Sequence, residues 1–146
     1  MTTAKTVFDY AIALMDEMNE NTGATDTTDT KEYKLRTPNI LNVLCGELYP
    51  YSDTYTLNAD GTRPVCPVIE TIDSTIGLDD TLCATVIPYG LAAHLLLGEN
   101  NGMAVFFQQR YEEMREKLKN SPASFESVSD AYGTSGYFPY NEFGRW

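Results

Sequence analysis

The sequence is short of nearly everything that chemistry at a protein site draws on. It has one histidine, His94, one tryptophan, Trp146, and three cysteines, Cys45, Cys66 and Cys83, in no CxxC spacing. General acid–base or nucleophilic catalysis needs partner groups close at hand, and His94 stands among Ala93 and Leu95–Leu97. Those neighbours point to packing or hydrogen bonding at the border of a helical face. No Ser or Cys lies in a GxSxG-like context, and there is no glycine-rich phosphate loop. The run TLNADG imitates the start of a calcium loop, but Thr56 stands where its first Asp belongs and Pro67 where its closing Glu belongs. No enzyme, cofactor or metal centre is expected.

Positive charge is scarce as well. Ten Lys and Arg face 21 Asp and Glu, a net charge of −11. Such a surface repels phosphate backbones and argues against specific nucleic-acid binding, although an acidic wall suits a passage that DNA must traverse without sticking. No apolar run approaches the length of a bilayer span, and no basic start leads into a hydrophobic segment. A soluble protein made in a cytoplasm is expected. The odd number of cysteines fits a reducing compartment, with Cys45 and Cys83 read as small core residues inside apolar helical patterns.

What is present is helical periodicity. The chain has 146 residues, 42% of them apolar, which suits one domain with a real core. From Asp79 to Leu118, Leu82, Val86, Tyr89, Ala93 and Leu96 recur at steps of three and four, and Ala104, Phe107, Tyr111, Met114 and Leu118 do the same beyond a turn at Gly98–Gly102. Two such stripes joined by a short turn leave water by facing each other as an antiparallel helical hairpin. Asp79 or Asp80 caps its start, Pro88 kinks its first arm, and Gly90, Ala92 and Ala93 admit a close helical neighbour. Glu112, Glu113 and Glu116 alternate with Arg110, Arg115, Lys117 and Lys119 as paired charges on an exposed face.

Upstream, a helix is predicted from a Thr3 N-cap to about Asn19. Val7, Ala11, Leu14 and Met18 form its buried stripe, widened by Phe8, Ile12 and Met15. Residues Asn21 to Thr30 form a polar loop. A second helix runs from Lys31 to Leu48, apolar through Tyr33, Leu35, Ile40, Leu41, Leu44, Cys45 and Leu48, bent at Pro38 and ended by Pro50. Tyr55 and Leu57 alternate with Thr before the turn residues Asn58–Gly61, so 51–68 is expected as a short β-hairpin or an extended arm, with Pro64 and Pro67 keeping it at an edge. After Leu118 periodicity ends. The remainder is rich in Ser and Gly, yet carries Phe125, Tyr132, Tyr137, Phe138, Tyr140, Phe143 and Trp146. Linkers are normally poor in such rings, so this tail either folds back on its own bundle or buries its rings on a partner.

Three segments carry a resemblance: ILNVLCGELYP, the acidic LDD cap, and IPYGLAAHLLLGENNGMAVFFQQRYEEM. The YGLAA core (Tyr89–Ala93), the acidic turn (Glu99–Asn101) and the FxxRYE run (Phe107, Arg110, Tyr111, Glu112) resemble the head–tail connector, or portal adaptor, proteins of tailed bacteriophages over about Thr6 to Leu118. The resemblance implies a non-enzymatic virion protein at the neck between capsid and tail, made in the host cytoplasm. Such a protein forms a homo-oligomeric ring, commonly a dodecamer, between the portal protein and the tail or stopper protein. DNA passes through the lumen without specific binding, and no membrane is involved.

The expected fold class is mainly α: a small four-helix bundle with a short β-hairpin or extended arm and an extended C-terminal tail. Residues 1–120 form the bundle, with the arm at 51–68, and 121–146 form a docking tail. Expected interface residues are Tyr132, Tyr137, Phe138, Tyr140, Phe143 and Trp146 in the tail, and Tyr51, Tyr55, Leu57 and Arg63 in the arm. The alternative is an acidic, non-enzymatic cytoplasmic interaction module.

Overall fold

The computed structural model describes residues 1–119, which are mainly helical. In chain order they form α1 (Ala4–Leu14), α2 (Lys31–Leu48), a 3-10 turn (Tyr49–Tyr51), α3 (Asp80–Thr85), α4 (Ile87–Leu96) and α5 (Asn101–Lys119). Helix α4 is the centre. Its sequence is apolar nearly all round, with Ile87, Leu91, Ala92 and Leu95 buried, as expected of a helix enclosed by others. It packs on α1, α2 and α5.

Helix α1 starts as expected: the Thr3 hydroxyl accepts from the Thr6 amide at 3.3 Å. It stops five residues early. Asp16 takes a positive φ of 58°, a conformation that Asp tolerates better than most residues. The chain turns away there, so Leu14 and Met18 lie exposed, whereas Val7, Phe8, Ala11, Ile12 and Met15 are buried. The expected stripe is therefore buried through Val7 and Ala11 together with the residues expected to widen it, and is lost only at Leu14 and Met18. The polar loop that follows is tied down. Thr25 Oγ1 donates to Asp9 at 2.6 Å, Lys34 pairs with Asp26 at 2.6 Å, and the fully buried Thr30 donates to the Thr25 carbonyl at 2.7 Å.

Helix α2 has its expected bounds and continues through Pro38. Thr37 Oγ1 donates back to the Tyr33 carbonyl at 2.7 Å, one turn before the proline. Leu35, expected on the apolar face, is 71% exposed.

The segment expected as a third helix is two helices. Pro88 lacks an amide hydrogen and its ring crowds the preceding turn, so the rod breaks at Val86 and restarts with Pro88 in the first turn of α4. Asp79 caps α3: its Oδ2 accepts from the Leu82 amide at 3.2 Å. Between α4 and α5, Gly98 adopts φ 93° and its amide donates to Asn101 Oδ1 at 3.1 Å.

Among the described residues there is no β-strand, so the β-hairpin form of the arm is not made. The only β pairing among the described residues is an isolated antiparallel bridge between Thr3 and Thr75. A turn does close at the expected place. Asn58 N donates to the Thr62 carbonyl at 3.0 Å, Gly61 takes φ 82°, and Asp60 Oδ1 accepts from both the amide and hydroxyl of Thr62. The flanks do not pair because Pro64 and Pro67 remove donors on one side. What remains is an extended arm. The expected docking tail, with Tyr132, Tyr137, Phe138, Tyr140, Phe143 and Trp146, lies outside the described residues.

Candidate functional site

Two of the three segments that carry the sequence resemblance, ILNVLCGELYP and IPYGLAAHLLLGENNGMAVFFQQRYEEM, meet at Gly90. Gly90 of α4 faces Leu44 of α2 and Tyr111 of α5. A β-carbon placed there would stand 3.0 Å from Leu44 Cδ2 and 3.0 Å from Tyr111 Cδ2. Glycine is what lets the two helices close on α4. Above that crossing, the buried Tyr111 donates from its hydroxyl to Glu47 Oε2 of α2 at 3.0 Å. Arg115 donates to the other oxygen of Glu47, and its guanidinium lies over the Tyr111 ring at 5.6 Å. Arg115, expected among the charges that pair along one exposed helical face, thus reaches across to another helix. Arg110 and Lys119 do pair locally, with Glu113 and Glu116 at 3.0 Å each.

A second polar clasp closes the far end of α4. Tyr33 donates to Glu99, and Arg36 donates to the Leu95 carbonyl at 3.1 Å while lying 5.8 Å from the Tyr33 ring. Burial and the neighbouring carboxylates raise both tyrosine hydroxyls above their ordinary value of 10. Tyr33 rises to about 12, and burial with Glu47 pushes Tyr111 higher still. The folded chain therefore binds these protons more tightly than the unfolded chain does. Their contribution is complete below about pH 10 and is lost as pH rises toward about 12. Urea melts should show stability falling above about pH 10, and Tyr33→Phe should flatten that fall. An unchanged slope in the variant would show that Tyr33 is not its source.

On the outside, α4 and α5 leave a groove of about 660 Å³. Ala93, Leu97, Ala104 and Val105 form its apolar wall, and His94, Gln108 and Glu112 its polar side. Leu97 is 67% and Val105 56% exposed. His94 thus lies exposed beside the groove at a helix border, the placement its flanks suggest. A shallower depression, lined by Gln109, Glu112, Glu113, Glu116 and Lys117, shares Gln109 and Glu112 with the groove and continues it toward the end of α5. The spacing does not mark this groove, because Leu97 and Val105 fall off the stripes to which Ala93 and Ala104 belong.

The arm residues follow one another along the stretch that leads into and out of the turn at Asn58. Tyr51 ends the 3-10 turn, Tyr55 packs edge-on against Tyr49 with centroids 5.3 Å apart, and Leu57 and Arg63 are exposed on opposite sides of the turn at Asn58. Tyr55 is half-buried in that contact. The arm's base is fixed by Asp79. Its Oδ1 accepts from Ser52 Oγ at 2.8 Å and from the Asp53 amide at 3.3 Å, so one carboxylate holds both the arm and the start of α3.

Cys45 and Cys83 are buried free thiols, and burial pushes them up to about 12 and about 11, which keeps them protonated and unreactive. Among the described residues no group of three or more His, Cys, Asp and Glu could hold a metal ion, and no helix is long and apolar enough to cross a membrane. Compared with models of known families, with curated proteins and with solved structures, the chain matches none.

Proposed function

We propose that the protein is a ring-forming structural subunit of a bacteriophage neck that joins the portal to the tail or stopper and extends the DNA channel. The observation that carries this is the junction at Gly90. ILNVLCGELYP supplies Leu44 and Glu47, and IPYGLAAHLLLGENNGMAVFFQQRYEEM, about 40 residues further on, supplies Gly90 and Tyr111. The resemblance therefore rests on residues that together hold one structural unit. The longer helices α1, α2, α4 and α5 serve as the four-helix bundle of such a subunit, with 51–68 as its arm and 121–146 as its docking tail. The charge of −11 suits a lumen wall past which DNA slides.

The subunit has no enzymatic role in this scheme. It acts in the virion by contacts with copies of itself, with the portal through the tail rings, and with the protein below. Sedimentation after co-expression with the portal protein encoded in the same genome tests the proposal. A ring-sized complex containing both chains is expected. A chain that remains a monomer or dimer and ignores the portal would overturn it and favour the acidic interaction module.

A further inference from the structure

Two residues where α4 turns into α5 can react with each other. Asn101 is the first residue of α5, Gly102 follows it, and both are exposed. They are the only Asn–Gly pair in the sequence. An asparagine before a glycine can lose its side-chain amide when the next backbone nitrogen attacks Cγ. Glycine has no β-carbon to shield that nitrogen, and its backbone turns most freely. The attacking amide must be one that no acceptor holds.

The chain also has one Asp–Gly pair, Asp60–Gly61, which can close the same ring, and hydrogen bonding separates the two. The Gly61 amide is held: it donates to the Asn58 carbonyl at 2.9 Å. Asp60 Oδ1 accepts from the Thr62 hydroxyl at 2.6 Å and from the Thr62 amide at 3.0 Å. Those two donors keep the Asp60 carboxyl below the ordinary carboxylate value, so it stays an anion, a poor target for a nucleophile.

At the start of α5 the arrangement is reversed. Amides in the first turn of a helix have no intrahelical acceptor. Asn100 takes the Met103 amide on Oδ1 at 3.2 Å and the Ala104 amide on its carbonyl at 2.9 Å. The cap thus passes over Gly102, whose amide has no acceptor among the described residues. Asn101 Oδ1, in turn, accepts from the Gly98 amide at 3.1 Å. That donor draws electrons from Cγ and is placed to meet the oxyanion formed by attack. The positive end of the helix dipole favours the same negative charge. Ring closure needs the first turn to open, and a glycine within it weakens that turn.

We infer that Asn101 is a self-modification site, where the Gly102 backbone nitrogen displaces the side-chain amide. The nitrogen gives its proton to a solvent base and bonds to Cγ. The Cγ–Nδ2 bond breaks, and Nδ2 takes a proton from water and leaves as ammonia. Water then opens the cyclic imide at one of its two carbonyls, leaving aspartate or isoaspartate at position 101. Water is the only co-reactant, and nothing is oxidised or reduced. Either product adds one negative charge. Aspartate suits the start of a helix, whereas isoaspartate threads the backbone through the side chain and lengthens the α4–α5 turn by one carbon. The inference does not depend on the neck assignment.

Incubating the folded full chain in heavy-oxygen water at mildly alkaline pH, followed by peptide mass spectrometry, tests it. Position 101 is expected to exchange its amide for an acid carrying one solvent oxygen, while Asp60 stays unlabelled. Asn101→Gln, which would have to close a larger ring, should lose the conversion. The isoaspartate fraction, separated by ion exchange, should unfold at a lower urea concentration than the parent. A folded chain that keeps the Asn101 amide, under conditions where the urea-unfolded chain loses it, would overturn the inference. So would labelling at Asp60 equal to that at Asn101, because hydrogen bonding would then not select the site.

Discussion

Gly90→Leu is expected to remove cooperative folding altogether. Even a single β-carbon at Gly90 stands 3.0 Å from side chains on two different helices, closer than carbon atoms pack without displacement. Gly90→Ala sets two effects against each other. Replacing a helical glycine by alanine gains about 1 kcal/mol in helix propensity, whereas forcing one methyl into a packed contact costs about 1–3 kcal/mol. Leu44 is itself buried and cannot swing out, and Tyr111 is tethered through its hydroxyl to Glu47. The packing cost wins, and a net loss of about 1 kcal/mol is expected for alanine. Leucine adds three more carbons in the same direction, for a loss well beyond 3 kcal/mol and on the order of the whole stability of a small domain. Urea titration followed by circular dichroism measures both. A leucine variant that melted at the parental urea concentration would mean that α2 and α5 do not close on this residue.

Asp79→Ala should give the next largest loss, about 2 kcal/mol. One part, about 1 kcal/mol, is the lost N-cap of α3 at the Leu82 amide. The rest comes from the Asp53 amide and the Ser52 hydroxyl, which lose their acceptor where the arm leaves the body. Ser52 keeps some satisfaction from Thr54 and from the Asp79 amide, at 2.8 and 2.9 Å, which limits the cost. The distinctive expectation is spatial: hydrogen exchange should quicken at both Asp53 and Leu82, 29 residues apart in sequence. Faster exchange at Leu82 alone would reduce Asp79 to an ordinary helix cap.

Much of the helical plan could be read from the chain, because periodicity and caps are local signals. Helix α2 has its expected ends, Thr3 and Asp79 cap as their side chains suggest, and Ala104, Phe107 and Tyr111 are buried as their spacing requires. The failures have physical causes that spacing does not carry. Helix α1 continues its apolar pattern on paper through Met18, but a left-handed Asp16 ends it, and no local residue announces that turn. Pro88 signals trouble, yet whether a proline bends a helix or splits it depends on what its neighbours pack against. The arm has strand-like alternation, but strands need partners, and its prolines refuse them.

The candidate site was legible only in its parts. Gly90 is visibly a close-approach residue, but which helices approach is a property of the fold. The link from Glu47 to Tyr111 and Arg115 spans more than 60 residues of sequence. The groove escaped notice because Leu97 and Val105 read individually as unremarkable surface residues and become a channel only when α4 and α5 lie side by side.

The pairing of the chain's start with the segment before α3 bears on the order in which the molecule comes together. The Ile76 amide donates to the Thr2 carbonyl at 2.8 Å and the Ala4 amide to the Ser74 carbonyl at 2.9 Å. Helices α4 and α5 are joined by a few residues and can meet within a short search. These two bonds, and the docking of α1 on α4, must instead close a loop of about 70 residues, an entropic toll that local contacts avoid. The pairing of α4 with α5 is therefore expected to precede the docking of α1 on α4.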